Sequence, residues 1–251
     1  MAQMLKTIVA GPLVVQAIYP VVNPKDSDGV RAGKHRMSSE AQKRMNLKYS
    51  YQRLELEMAA NFVPGDLVVT QTYDDDHLPR SRREAQRKEQ AFWRKLGEKR
   101  KRRGAELKYL YVNENKHDAG RWHHHALINA TGDDYEEIIK LWRYGSVEIH
   151  PFRVDRDKNY ETLARYFCKE AREKVGHRLW SCSRNLRKPE LDSRRMPNDM
   201  ELTPPAGVTV LEDTGEVRTA YGRYRCLKYL AIGWCSQPKK KARRRRKPKR
   251  A

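Results

Sequence analysis

Metal-binding and acid–base side chains crowd the run Arg121-Trp122-His123-His124-His125-Ala126-Leu127-Ile128-Asn129. In a strand, alternate side chains share a face, so His123 and His125 project together and His124 points the other way. Two imidazoles about 7 Å apart along one face can converge on a metal if a third ligand arrives from a neighbouring strand. Glu114 ends the preceding strand next to the loop, close to His123 across the hairpin, and is the natural candidate. The competing reading is a polar strand whose histidines meet solvent or Trp122.

A second group lies about forty residues on. Tyr166 and Lys169 are three apart on an expected helix whose apolar stripe includes Leu163 and Phe167, so both emerge together at the edge of the buried face. A phenol with a pKa of about 10 is a poor nucleophile. It needs a nearby cation or metal to become a useful phenolate, and Lys169 is placed to help. Tyr160 is a weaker candidate, because a six-residue offset carries it well round the helix. The alternative for the pair is a partly buried Tyr and a surface Lys.

The elements that must hold these groups are legible from pattern. Leu67 to Tyr73 is a β-branched run and a candidate central strand, following the stop signal Pro64-Gly65-Asp66. Ser81 with Glu84 forms a capping-box signature for a helix lined by Ala85, Phe92 and Leu96. Leu107–Asn113 and Trp122–Ala130 form a hairpin. Asp133 is positioned to cap a helix carrying Ile138, Leu141 and Trp142, ended by Gly145. Val147–Val154 is a strand, Glu161–Glu173 a helix and Arg178–Leu186 a basic strand. The order β, α, β, β, α, β, α is that of an α+β fold: an antiparallel sheet with split βαβ topology, covered by helices on one face.

The ordered set resembles the rolling-circle replication initiators of the HUH endonuclease superfamily, the Rep proteins of phages and plasmids. Val69 to Tyr73 is similar to the family's first motif. His123-His124-His125 is similar to its His-hydrophobic-His motif, with a histidine in the middle. Tyr166-Phe167-Cys168-Lys169 is similar to its Tyr-x-x-Lys motif. The resemblance covers roughly residues 65–190. It implies a ferredoxin- or RRM-like HUH sheet, Mg²⁺ or Mn²⁺ held by Glu114, His123 and His125, and attack by Tyr166, assisted by Lys169, on single-stranded origin DNA. The expected product is a 5′-phosphotyrosine link with a free 3′-hydroxyl, with a host helicase and polymerase as further partners.

Charge agrees with a polyanionic partner. The 251 residues carry 53 Lys and Arg against 32 Asp and Glu, a formal charge of +21. Ten of the basic residues lie in 239–250, and removing them still leaves the remainder at +11. Such a field favours nucleic acid. Arg178, Arg184, Arg187, Lys188, the basic helix at 82–103 and the tail residues Arg243, Arg244, Arg245 and Arg246 are candidate DNA contacts. The apolar stretch Ile8–Val22 is broken by Gly11, Pro12, Gln16 and Pro20, so neither a membrane span nor a clean signal peptide is expected. Four cysteines without C-x-x-C spacing point to a reducing compartment, and the resemblance to a bacterial host cytoplasm. The expected organisation is an N-terminal arm and helix over 1–61, a catalytic domain over 62–190, an irregular appendage over 191–238 and a disordered basic tail over 239–251. The rival functions are a transposase of the same superfamily and a non-enzymatic basic nucleic-acid-binding protein.

Overall fold

Leu67, Val69 and Gln71 alternate with Val68, Thr70 and Thr72, and a segment with that period is stable only between two packed layers. The computed structural model describes residues 3–21, 40–115, 121–132, 134–154, 159–169, 179–197, 200–219 and 222–231. The protein is α+β, with two antiparallel sheets and four α-helices among these residues.

The sheet that carries the chemistry is built from β3 (Leu67–Thr72), β4 (Tyr109–Asn115), β5 (Trp122–Ile128), β6 (Val147–Pro151) and the two-residue β7 (Ser181–Cys182). Its spatial order is β6-β3-β5-β4-β7, so the strands follow the split βαβ arrangement expected from the element order. Both crossovers are helical. α2 (Arg82–Arg102) joins β3 to β4, and α3 (Asp134–Leu141) joins β5 to β6. The Ser81 hydroxyl caps α2 by accepting from the Glu84 amide at 3.2 Å. Phe92, Trp93 and Leu96 of α2 and Ile138 of α3 pack with Leu67, Val69, Tyr111 and Ala126 in one core.

Helices cover both faces of this sheet, which corrects the one-faced arrangement. The second face, presenting Leu110, Val112 and Leu127, packs on Leu54 and Met58 of α1 (Glu40–Asn61) and on Tyr160, Ala164 and Phe167 of α4 (Tyr160–Phe167). α1 reads as basic and polar over its first half, yet its second half places Leu54, Met58 and the following Phe62 one turn apart. α4 is shorter than expected. Asn159 caps it by accepting from the amides of Glu161 and Thr162, and it ends at Phe167 with Cys168 as cap.

The first and last segments form the second sheet, from β1 (Gln3–Ala10), β2 (Leu13–Pro20), β8 (Glu190–Met196), β9 (Thr209–Asp213), β10 (Val217–Thr219) and β11 (Gly222–Leu230). The order is β10-β11-β2-β1-β8, with β9 also paired to β11. The strands expected near the start are therefore paired. The stretch after residue 190, expected as an irregular appendage, is largely strand. Its polarity hid this, because β8 exposes nearly every side chain and is held by backbone pairing to β1. Two glycines permit close approaches: at φ +57 a Cβ on Gly11 would lie 2.2 Å from the Ala59 carbonyl of α1, and one on Gly145 would lie 2.4 Å from that of Thr72. The polar loop at 24–37, the cap at Asp133, Arg178 and the basic tail lie outside the described residues.

Candidate active site

Strand alternation decides which histidines face which layer. β4 and β5 pair antiparallel with Glu114 opposite His123 and Val112 opposite His125, so Glu114, His123 and His125 share the face covered by α4. The Glu114 carboxylate reaches diagonally past its direct partner: Oε2 lies 2.9 Å from His125 Nε2. The His123 ring stands beside that of His125, with centroids 6.0 Å apart. From α4, the Tyr166 hydroxyl lies 3.2 Å from the same His125 Nε2, and just past the helix Lys169 Nζ lies 2.8 Å from Glu114 Oε1. The ammonium also sits 4.0 Å from the centre of the Tyr166 ring. Five residues read as one site from two distant stretches thus lie together on one face of the sheet.

Burial acts to raise the Glu114 carboxyl, but the hydrogen bonds and charges of His125 and Lys169 outweigh it and hold it at about 2. Burial acts to lower the Lys169 ammonium, and Glu114 beside it keeps it above its ordinary value. The pair is therefore ionised at neutral pH. Glu114 is buried, whereas Tyr166 is 42% exposed. The cluster thus has a reachable phenol above a buried anion.

Thr70 is not among the residues that the sequence singles out, although it stands in the strand motif before Tyr73. It faces His125 across the β3–β5 pair, and its hydroxyl lies 3.1 Å from His125 Nδ1. This contact fixes the ring plane and leaves Nε2 directed at Glu114 and Tyr166. The signal that finds it is register, which a single strand pattern does not contain.

His124 points into the opposite core, as alternation requires, and is fully buried. Its Nε2 lies 2.7 Å from the Tyr73 hydroxyl and its Nδ1 2.6 Å from Asn113 Oδ1. Burial, aided by the neighbouring imidazoles, holds its pKa down at about 3, so the ring is neutral. Burial also raises the Tyr73 phenol, which keeps its proton and donates to Nε2; His124 then donates through Nδ1 to Asn113. Behind it, fully buried Glu89 has its carboxyl pushed well up by burial, and Gln71, with its amide turned to donate, lies 3.2 Å from both Glu89 oxygens. The middle histidine is therefore part of the fold's interior.

Tyr160 is also fully buried, and its hydroxyl donates to the Phe62 carbonyl at 2.9 Å. Arg184, Arg187 and Lys188 are exposed on the segment after β7 and take no part in the cluster. Arg178, Arg243, Arg244, Arg245 and Arg246 lie outside the described residues.

Residues 66–173 match the family model of replication-associated proteins of the ORF2 type. The match supports a replication initiator. It spans β3 to α4 and so contains Glu114, His123, His125, Tyr166 and Lys169. No curated protein and no solved structure matches the chain. Among the described residues, no helix is long and apolar enough to cross a membrane.

The donor chemistry around Glu114 suits a hard or borderline divalent cation: a carboxylate held ionised, with imidazoles on the same face. Among the described residues, no three His, Cys, Asp or Glu side chains are already gathered as a metal centre. The Lys169 ammonium takes one Glu114 oxygen, and the His123 ring stands off from the Glu114–His125 contact.

Proposed function

We propose that the protein is a rolling-circle replication initiator that nicks and rejoins single-stranded origin DNA, with Tyr166 as nucleophile. The observation that carries this reading is the 3.2 Å approach of the Tyr166 hydroxyl to the imidazole that also contacts Glu114, with Lys169 spanning both. A phenol that only packs has no need of such a setting. Glu114, His125 and His123 would hold Mg²⁺ or Mn²⁺. The bound ion supplies positive charge to the phosphoryl oxygens and fixes the orientation of the phosphate.

The chain's own residues do the rest. Lys169, over the Tyr166 ring, favours the phenolate over the phenol. Thr70 holds the His125 ring in the plane the site requires. The Tyr166 oxygen attacks phosphorus, the bond from phosphorus to the 3′ oxygen breaks, and that oxygen takes a proton to leave as a 3′-hydroxyl. A 5′-phosphotyrosine remains and stores the bond for rejoining. Origin DNA, a host helicase and a host polymerase are the partners of this reading, and a bacterial host cytoplasm its setting.

The test is incubation with labelled single-stranded origin hairpins and Mn²⁺. The parent protein is expected to form a covalent adduct stable to denaturant, and Tyr166→Phe none, at unchanged melting temperature, because phenylalanine keeps the ring and deletes only the attacking oxygen. An adduct from Tyr166→Phe would overturn the assignment. No adduct from the parent on any single strand would favour a binding protein without catalysis.

A further inference from the structure

On the other side of β4 from Glu114, a cavity of about 250 Å³ opens between the start of α2, β4 and β7. It is lined by Arg82, Gln86, Tyr111, Asn113, Trp180 and Ser181, among others. This is below the roughly 300–1,000 Å³ of sites for drug-sized ligands, and on the scale of one planar heterocycle.

The walls are fixed before any ligand arrives. Trp180 donates its indole N–H to Glu57 Oε2 at 3.2 Å, which sets the plane of the ring. Tyr111 is buried against Trp93, which itself stacks on Tyr109 with centroids 4.1 Å apart. Ser181 is pinned by the pairing of β7 with β4 opposite Tyr111. The Asn113 oxygen is taken by His124, which leaves its amide N–H groups as the donors it can offer the cavity. Gln86 adds a donor and an acceptor and Arg82 a guanidinium; neither side chain bonds to another described residue. Beyond the cavity α2 continues with exposed Arg83, Arg87 and Arg94.

Aromatic walls, unengaged amide groups and a cation at the mouth are the equipment for holding an unstacked base beside its phosphate. We infer that this cavity binds one unpaired nucleobase of the single-stranded substrate, and so reads sequence on the face of the sheet opposite the nucleophile. The inference rests on the nickase reading for its substrate. It predicts a strand that passes over the β4–β7 edge, with its phosphates along α2.

The experiment separates base from backbone contact and needs no cleavage. Binding of short oligo(dT), oligo(dA) and oligo(dC) to the full chain is measured in EDTA across a range of salt. Trp180→Leu is expected to weaken binding about tenfold and Gln86→Ala by less, both with the slope of log affinity against log salt unchanged, whereas Arg82→Ala should flatten it. Gln86→Ala removes a half-exposed helical side chain, so it keeps the test open if Trp180→Leu folds poorly. Photocrosslinking of a 5-iododeoxyuridine strand to the parent protein should mark the peptide carrying Trp180 or that carrying Tyr111. Unchanged affinity in both variants, or crosslinks confined to other peptides, overturns the inference. Adduct formation at Tyr166 without these effects leaves the nickase standing and removes the pocket; these effects without an adduct do the reverse.

Discussion

At the scale of single residues, the three consecutive histidines divide by direction into two jobs. His124→Ala would open a cavity in a closed core and strand the Tyr73 hydroxyl and the Asn113 amide, so a loss of about 2–4 kcal/mol of stability is expected. Chemical denaturation checks this: His124→Ala should unfold at clearly lower denaturant, while His123→Ala stays near the parent and loses adduct formation. Thr70 acts through His125 alone. Thr70→Val keeps the shape of the side chain and deletes the hydroxyl, so adduct formation and Mn²⁺ affinity should both drop roughly 10- to 100-fold at unchanged stability, with Thr70→Ser restoring them. An unaffected Mn²⁺ titration of Thr70→Val would show that the 3.1 Å contact does not orient the ring. The facing of the histidines is legible in the sequence because strand alternation is a local rule. Thr70 is not, because its role is set by which residue lies opposite.

At the scale of elements, strands and helices with a clear period are legible, and those held by pairing or by distant charge are not. The β3-to-β6 unit obeys hydrophobic alternation and capping chemistry, so its order and topology follow from the chain. β8 has no apolar face of its own, and α1 hides its buried stripe behind a basic first half. What docks α1 and α4 against the second sheet is an ion cluster no motif announces. Lys228 of β11 is buried, lies 3.2 Å from Glu55 of α1, and also bonds to Glu161 of α4. Burial, only partly offset by Lys228, raises the Glu55 carboxyl from 4.5 to about 7. The folded state thus holds a proton that the unfolded chain releases, so this group's stabilisation is complete below about pH 4.5 and declines as pH rises towards 7. Glu161 is shifted downward, burial being outweighed by Lys228 and Arg165, so its contribution is lost only at more acid pH. Glu55→Gln should therefore flatten the dependence of melting temperature on pH between about 4.5 and 7. An unchanged profile would mean that Glu55 titrates normally.

At the scale of the whole molecule, charge and connectivity are the relevant features. The net +21 is spread over tail and body, and the ten basic residues of 239–250 are the densest part of it. Deleting residues 239–251 is expected to weaken binding to single-stranded DNA and flatten its salt dependence, while adduct formation at saturating DNA persists. A truncated protein with the parent's salt slope would show that the tail does not touch the strand. Composition makes this partner class legible. It holds no sign that the two ends of the chain meet, since β2–β11 pairing is a contact across some two hundred residues of sequence.

That pairing sets an order of events during synthesis. A ribosome delivers β1 and β2 first and the site residues in the middle, but the strand carrying Lys228 emerges after all of them. Until it does, Glu55 and Glu161 have no common cation and α4 lacks its clamp to the second sheet. A chain cut short before residue 222 would hold every residue of the proposed nicking site and not the strand that steadies the nucleophile's helix. On the nickase reading, an unfinished initiator is in this way kept from acting on DNA before its synthesis is complete.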